Sequence, residues 1–288
     1  MTGGPIPPGL AWWRAEPGGA EWLERLPSLV RERSEAWALR IGTPFEAHIS
    51  WVAPVTRADG TPAVLKLNFP EPESEHEAAA LAHWDGLGAV RLLEHDAPAR
   101  ALLVERCEPG TQLWAVSDED EANRIAASIL RSLWRPPDEV GYRTLAGEAG
   151  RWAEELPTRR LERRLVDEAV AWIRELAPTQ NEVVVAHQDF HGANVLRADR
   201  EPWLAIDPKP MLAERAFDTA SLLRDRRPEL ARDPHPERRL RRRLDLLSSE
   251  LGLDRERMRG WAVVHALAWE GGDEQMIACA RGFSSLSS

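Results

Sequence analysis

The stretch of sequence that decides the fold is VVVAHQDFHGANVLRADREPWLAIDPKP, which runs from Val183 to Pro210. Its first four residues, Val183–Ala186, are typical of a β-strand because valine favours extended backbone. A polar loop follows over residues 187–194. The apolar runs on either side of the segment ADREP then predict a hairpin over residues 195–206. The returning strand of that hairpin brings the residues that follow it back beside the end of the loop.

Three polar side chains have defined places in this strand, loop and hairpin. Asp189 and Asn194 lie at the two ends of the loop, and Asp207 directly follows the returning strand. An aspartate followed five residues later by an asparagine fits D-x-x-x-x-N, the catalytic-loop pattern of kinases. Phosphoryl transfer explains each residue type, because a carboxylate accepts the proton of the acceptor hydroxyl and hard oxygen ligands bind Mg²⁺. The spacing therefore indicates kinase chemistry.

The N-terminal third carries a second signal for the same chemistry. Two strand-like runs around the turn RADG predict a hairpin over residues 50–68. Its second strand ends in AVLK, so Lys66 matches the strand-ending lysine of kinases, although such a lysine taken alone is better explained as a solvent-facing residue of an edge strand. In the helix that follows, Glu77 shares the helical spacing of two apolar residues and is expected to face the sheet. Burying a carboxylate unpaired is costly, so we expect Glu77 to pair with Lys66, with Glu75 as the alternative.

The order of the predicted elements indicates an α+β fold with two lobes. The first hairpin, a helix and a second hairpin-like pair around the segment DAP form a small β-rich N-lobe, residues 1–107. Residues 108–288 form a larger lobe that is mostly helical apart from the quoted stretch. A chain of 288 residues is long enough for a substantial core in this arrangement.

Composition limits the classes of partner. The formal net charge of −10 argues against nucleic acid and against anionic membranes, and it is compatible with a cationic small molecule. Cys107 and Cys279 lack metal-binding or redox spacing, which favours a reducing cytoplasm. The first residues lack the pattern of a signal peptide, and the longest apolar run, Trp261 to Trp269, is too short to span a bilayer. We therefore expect a cytoplasmic protein without nucleic-acid or membrane partners, whose oligomeric state the sequence leaves open.

The sequence resembles the bacterial aminoglycoside phosphotransferases, and most closely their streptomycin 6-kinase and hydroxyurea phosphotransferase branch. The similarity extends from about Trp51 to the C-terminal helices. The motifs that carry it, in chain order, are SWVAPVTRADGTPAVLK, HEAAAL, LLVERCEPGT, HQDFHGANVL, EPWLAIDPKP and FDTASLLRDR. The last three in this order are quite specific to the branch. The resemblance implies a protein-kinase-like fold and transfer of the γ-phosphate of ATP to a hydroxyl group of a small molecule.

The resemblance also implies a role for each matching residue. Asp189 would be the catalytic base, and Asn194 and Asp207 would be the ligands of Mg²⁺. Lys66 would orient the α- and β-phosphates of ATP, and Glu77 would hold Lys66 in place. ATP and Mg²⁺ are thus the implied cofactors.

The regions that would contact the nucleotide follow the family less closely. The resemblance implies that Val104, Glu105 and Arg106 form the hinge whose backbone binds adenine. The segment Gly42 to Val52, where a phosphate loop is expected, contains no G-x-G-x-x-G motif. The backbone amides near His48–Ser50 are the candidates for binding phosphate in place of that motif. GTP remains an alternative donor.

Two positions around the catalytic loop add to this pattern. Many relatives read His-Gly-Asp where this chain has His187-Gln188-Asp189, which is a small change. Asp218, in the motif AFDTASLL, is expected to cap a helix and to brace the catalytic loop rather than to react.

Two alternative functions fit parts of the same sequence. The motif HQDFH also reads H-x-D-x-H, so His187, Asp189 and His191 could ligate Zn²⁺ or two metal ions in a hydrolase that acts without nucleotide. That interpretation leaves Asn194 and Asp207 unexplained. The chain could also be an inactive nucleotide-binding protein with a kinase-like fold, although the complete set of kinase residues argues against it.

The identity of the acceptor molecule is the aspect of the function that the sequence determines least. The resemblance and the negative charge together predict a polyhydroxylated small molecule that carries positive charge, with the streptomycin type as the leading expectation. Glu214 and the segment Ala268 to Glu274 are the acidic candidates for binding it. Hydroxyurea and neutral sugars are the alternatives.

Overall fold

The computed structural model describes residues 6–269 and 273–286. Contacts within the chain divide it into two compact units, Met1–Gly110 and Thr111–Ser288. The sequence predicts a lobe boundary between residues 107 and 108, and the exact position of that boundary stays a prediction.

The N-terminal unit is built on a five-stranded antiparallel sheet in the order β1-β2-β3-β5-β4. Its helices and strands are α1 (Gly19–Ala36), β1 (Arg40–Ile41), β2 (Trp51–Thr56), β3 (Pro62–Leu67), α2 (Glu77–Trp84), β4 (Leu92–Asp96) and β5 (Ala101–Glu105). A 3-10 segment, Pro8–Ala15, precedes α1. Both predicted hairpins are present, as β2–β3 and as β4–β5. The tight turn between β2 and β3 needs Gly60, which has a φ of 87°.

The apolar side chains of this unit explain why its elements pack together. Along β2, buried and half-buried residues alternate, because successive side chains of a strand point to opposite faces. The buried face joins one core with α1, β3, β5 and the Pro8–Ala15 segment. A 3-10 turn, Pro72–Ser74, precedes α2, which begins at Glu77.

The C-terminal unit is mostly helical. Its helices and strands are α3 (Glu119–Leu133), β6 (Arg143–Thr144), α4 (Leu145–Glu155), α5 (Arg163–Leu176), β7 (Val183–Ala186), β8 (Val195–Arg197), β9 (Trp203–Ala205), β10 (Met211–Glu214), α6 (Arg215–Asp218), α7 (Ala220–Leu223), α8 (Arg227–Leu230), α9 (Pro236–Leu251), α10 (Arg255–Ala268) and α11 (Glu274–Ser285). Every residue of α10 from Met258 to Ala268 is buried, so this helix forms the centre of the unit. In the described part of the chain, no helix has both the length and the apolar character needed to cross a bilayer.

Two small sheets hold the quoted stretch in place. The predicted β7 and the β8–β9 hairpin are present. The sequence did not predict β10, which pairs with β7 in antiparallel and with β6 in parallel orientation. Both partners are distant in sequence, and a four-residue strand has too short a pattern to be recognised alone. The α+β class predicted from the sequence is confirmed.

Candidate active site

The N-terminal unit contains a buried ion pair at the end of β3. The Lys66 Nζ atom lies 2.6 Å from Oε1 and 2.7 Å from Oε2 of Glu77. The two side chains are 8% and 2% exposed. Glu77 is the first residue of α2, where the helix dipole favours a negative charge. The pairing that helical spacing predicts is therefore present, whereas the alternative partner, Glu75, is exposed.

Two polar residues that the sequence analysis did not connect extend this pair. The Asn68 amide nitrogen donates to Oε2 of Glu77 at 2.7 Å, and the Ser50 hydroxyl donates to Oδ1 of Asn68 at 2.7 Å. Both residues are almost completely buried. Lys66 and Asn68 are two positions apart at the end of β3, and this period-2 spacing was the available signal. The Ser50 side chain thus orders the region around Lys66, while the use of its backbone amide for phosphate stays a prediction.

The predicted hinge lies at the end of the same sheet. Val104 and Glu105 are the last residues of β5, and Arg106 follows directly. The Glu105 N–H donates to the carbonyl of Arg91 at 2.9 Å, so this group is already engaged within the sheet. Adenine binding by this segment stays a prediction.

The C-terminal unit places Asp189 at the start of the loop after β7. Its carboxylate accepts two hydrogen bonds at 3.3 Å, from the Asn194 amide nitrogen to Oδ2 and from the Ser221 hydroxyl to Oδ1. The Asn194 amide nitrogen also donates to the Asp189 carbonyl at 2.9 Å. The two ends of the D-x-x-x-x-N motif are therefore joined directly, and the carboxylate is held in one orientation while its side chain stays 21% exposed.

The charge of Asp189 is set by its neighbours. Burial alone would raise its pKa, but the neighbouring His191, together with the charge of Arg224, holds the pKa of Asp189 far below its ordinary value. The His191 Nε2 atom lies 3.6 Å from the carboxylate. Burial lowers the pKa of His191, but Asp189 and the charge of Asp225 raise it, and the net shift of that pKa is upward. At neutral pH Asp189 is an anion that can accept a hydrogen bond from a hydroxyl group.

Gln188 precedes the base in a conformation that favours glycine. Its φ is 66°, in the left-handed region. The Gln188 N–H donates to Oδ1 of Asp218 at 2.8 Å, and its side-chain oxygen accepts from Arg143 at 2.9 Å. Asp218 is fully buried and also accepts from the Trp134 indole at 2.9 Å. The predicted bracing role of Asp218 is confirmed, but Asp218 ends α6 rather than capping its start.

The residues predicted to bind Mg²⁺ meet through the β8–β9 hairpin. The Ile206 N–H donates to the Asn194 carbonyl at 2.9 Å, so Asp207 follows a residue bonded directly to Asn194. Because the Asn194 amide nitrogen faces Asp189, its Oδ1 atom is the end that remains for a metal ion. The Asp207 carboxylate is 36% exposed, and Lys209 Nζ lies 3.6 Å from it. An amide oxygen and a carboxylate are the hard donors that Mg²⁺ prefers, so these residues fit that ion.

The arrangement does not support a zinc hydrolase. The His187 Nε2 atom lies 3.0 Å from the Ile206 carbonyl, and burial lowers the pKa of His187. His191 faces Asp189 instead of converging with His187 on a shared point. Among residues 6–269 and 273–286, no group of three or more His, Cys, Asp or Glu side chains could hold a metal ion.

A second carboxylate supports the middle of the catalytic loop, and the sequence analysis missed it. Asp225 accepts from the Gly192 N–H at 2.8 Å and from the Trp114 indole at 2.7 Å. A Cβ on Gly192 would lie 2.5 Å from the Trp114 ring, so a larger residue there would displace that ring. Trp114 is 41% exposed, and its ring is nearly parallel to that of His191, with centroids 6.0 Å apart. The motif SLLRDR contains Asp225, but its contact with Gly192 spans 33 residues and has no local signal.

The acidic candidates for acceptor binding are mostly engaged in other contacts. Glu214 is 2% exposed and accepts from Arg257 at 2.7 Å and from the Trp261 indole at 2.5 Å, so it stabilises the unit internally. Asp273 caps α11 and pairs with Arg227 at 2.9 Å. The predicted segment Ala268 to Glu274 also contains residues 270–272, which lie outside the described residues.

Comparisons with known proteins agree with this geometry. A model of the aminoglycoside/hydroxyurea antibiotic resistance kinases matches residues 36–271. A streptomycin 6-kinase of Streptomyces griseus is 38% identical over 272 residues, which cover 91% of this chain and 88% of that protein. A hydroxyurea phosphotransferase of Kitasatospora aureofaciens is 40% identical over 271 residues, which cover 88% of this chain and 75% of that protein.

A solved structure shows the same fold. It is an aminoglycoside phosphotransferase from Streptomyces rimosus in complex with ADP and streptomycin, and it matches with a TM-score of 0.59 and 18% identity. The match covers 86% of this chain and 98% of that chain. Neither the metal-hydrolase alternative nor the inactive alternative is supported. This chain belongs to the family of aminoglycoside/hydroxyurea antibiotic resistance kinases, with their protein-kinase-like fold, and is an ATP-dependent phosphotransferase.

Proposed function

We propose that this chain transfers the γ-phosphate of ATP to a hydroxyl group of a polyhydroxylated, positively charged small molecule of the streptomycin type. The observation that carries the proposal is the anionic Asp189, whose two carboxylate oxygens are oriented by Asn194 and Ser221. The names of the relatives in Streptomyces and Kitasatospora support streptomycin and hydroxyurea as the two acceptor types. The net charge of −10 favours the cationic one.

In the mechanism that we propose, Asp189 aligns the acceptor hydroxyl and takes its proton as the phosphoryl group is transferred. Its strongly lowered pKa keeps the carboxylate ionised before the reaction, so its main contribution is orientation rather than early removal of the proton. This agrees with phosphoryl transfer in general, in which positioning and electrostatics supply most of the catalysis. Ser221 and Asn194 fix the carboxylate, and His191 keeps it anionic.

The remaining site residues would bind the donor. Asn194 and Asp207 would hold Mg²⁺, which would offset the negative charge of the β- and γ-phosphates. Lys66 would contact the phosphates, and Glu77 and Asn68 would keep its ammonium group in place. The backbone of the Val104–Arg106 segment would bind adenine. We also place the reaction in the cytoplasm, which both cysteines support because these buried residues do not form a disulfide.

The test is an ADP-release assay with purified protein, ATP and three acceptors, namely streptomycin, hydroxyurea and a neutral sugar. We expect Asp189→Asn to lower kcat by about 10²- to 10⁴-fold, the range for loss of a general base, with ATP affinity nearly unchanged. Asp199→Asn is the matched control, since it makes the same change at an exposed position of the β8–β9 turn. Near-normal turnover of Asp189→Asn would remove Asp189 from the mechanism.

Salt dependence separates the acceptor classes. Charge pairs exposed to solvent are screened beyond about 10 Å at 0.1 M ionic strength, so the KM for a cationic acceptor should rise with salt. The KM for hydroxyurea should not change. Efficient, salt-independent phosphorylation of hydroxyurea or a neutral sugar, without turnover of streptomycin, would refute the cationic acceptor and leave the kinase assignment intact.

A further inference from the structure

The segment before α1 is bonded to the loop between β1 and β2, where the glycine-rich phosphate loop is missing. The Trp12 indole N–H donates to the His48 carbonyl at 2.6 Å. The Trp13 indole N–H donates to the Ile49 carbonyl at 2.8 Å. Two neighbouring tryptophans thus fix two consecutive peptide groups of the loop. The tryptophans precede the region that the family model matches, residues 36–271.

The contact between segment and loop is close. A Cβ on Gly9 would lie 2.5 Å from the Ala47 carbonyl oxygen and 2.9 Å from Nδ1 of His48, so no larger residue fits at this position. The tryptophan rings are held as well. Trp12 stacks on Trp13, and Trp13 stacks on Phe69, each with ring centroids 4.0 Å apart. The two indoles are therefore supported by the core of the N-terminal unit.

The next residue of the loop, Ser50, is held by its own side chain rather than by a tryptophan. The Ser50 hydroxyl donates to Asn68, which in turn donates to Glu77, the partner of Lys66. Residues 48, 49 and 50 are consequently each held by one polar contact. Such a series of contacts can give a loop without a G-x-G-x-x-G motif a defined backbone.

Peptide geometry shows which groups this arrangement presents. A trans peptide is planar, and its N–H points opposite to its C=O. Since the carbonyls of His48 and Ile49 face the indoles, the N–H groups of Ile49 and Ser50 point away from them. In the described part of the chain, neither N–H group has an internal acceptor. Successive backbone N–H groups that share a side form an anion-binding surface.

We propose that Trp12 and Trp13 are positioning residues for the donor nucleotide, which orient the Ile49 and Ser50 amides toward its phosphates. We call the two indole hydrogen bonds to the His48 and Ile49 carbonyls the brace. The brace replaces the conformational control that a glycine-rich loop provides in other kinases. The proposal rests on the assignment of ATP as donor and on residues 48–50 as the phosphate loop.

The test compares the binding of ATP with that of adenosine, which has no phosphates. Trp12→Phe removes the indole N–H and keeps an aromatic ring, and Trp12 is 43% exposed, so the fold should tolerate the change. We expect the Kd and KM for ATP to rise about 2- to 10-fold, the range for one hydrogen bond. The Kd for adenosine and the KM for the acceptor should stay unchanged. The double variant Trp12→Phe/Trp13→Phe should weaken ATP binding further.

Trp172→Phe is the matched control. Its indole donates to Glu168 on its own helix, α5, at 3.5 Å, so its loss should leave ATP binding unchanged. An unchanged Kd for ATP in both tryptophan variants would overturn the brace while the kinase assignment stands. Equal weakening of ATP and adenosine would show a general structural role and would also overturn it. Failure of the unaltered protein to bind ATP at all would instead refute the proposed function, and the brace with it.

Discussion

Replacement of Glu77 by glutamine provides a sharp test of the site in the N-terminal unit. The change keeps the shape of the side chain and one acceptor for Asn68, but it removes the negative charge. Lys66, whose side chain is 8% exposed, would then lose the carboxylate charge that it contacts in Glu77. Breaking a buried pair by removing one partner costs about 3–5 kcal/mol. We therefore expect Glu77→Gln to lower the free energy of unfolding by about that amount.

A second substitution should partly reverse the loss. In Lys66→Met/Glu77→Gln neither charge is present, and methionine has an apolar side chain of similar length. Pairs of buried charges can be replaced by neutral groups at little cost, so the double variant should be more stable than Glu77→Gln. Both variants should bind ATP poorly, because each lacks an intact Lys66–Glu77 pair.

The assay is urea unfolding followed by tryptophan fluorescence, which Trp51 and Trp84 report because both are fully buried in the N-terminal unit. Glu94→Gln is the matched control. Glu94 lies 4.0 Å from Arg57, and the side chains are 46% and 35% exposed, so its loss should cost about 0–1 kcal/mol. The reasoning would be refuted if Glu77→Gln cost no more than Glu94→Gln, or if the double variant were less stable than the single one.

The remaining predictions concern the C-terminal unit. Asp207→Ala should raise the Mg²⁺ concentration for half-maximal activity by roughly tenfold or more, because one of two proposed protein ligands is lost. A Zn²⁺-selective chelator should have no effect on the activity of the unaltered protein. An unchanged Mg²⁺ titration of Asp207→Ala would contradict the proposed metal site. Since the folded-state pKa of His191 is raised, its pairing with Asp189 stabilises the fold fully below about pH 6.5 and loses this effect as pH rises through the raised pKa. His191→Asn should therefore cost more unfolding free energy at about pH 5.5 than at about pH 9, and equal costs at the two pH values would argue against the charged pair.

Several features of the site could be predicted from the sequence because they depend on local spacing. The turn between β2 and β3 fixes their register, and the helical spacing of Glu77 with apolar residues predicts its burial and hence its pairing with Lys66. The loop from Asp189 to Asn194 is short, and the β8–β9 hairpin returns the chain beside it. Each of these inferences needs only the periodicity of strands and helices and the cost of burying a charge.

Other features could not be predicted because their partners are far apart in the chain. The contact of Gln188 with Asp218 spans 30 residues, and that of Trp13 with the Ile49 carbonyl spans 36. The strand β10 is recognisable only through its pairing with β7 and β6. The candidate acceptor residue Glu214 has the sequence context of an exposed carboxylate, yet the fold buries it against Arg257.

The sequence by itself therefore determined the fold class, the kinase chemistry and the residues of the D-x-x-x-x-N loop, because each depends on residue type at short spacing. Only the tertiary structure decided how those residues are charged and held. His191 and Arg224 set the ionisation of Asp189, and that effect depends on distance in space rather than in sequence. In the same way, a loop without a G-x-G-x-x-G motif can hold a defined backbone once side chains from distant segments bond to its carbonyls.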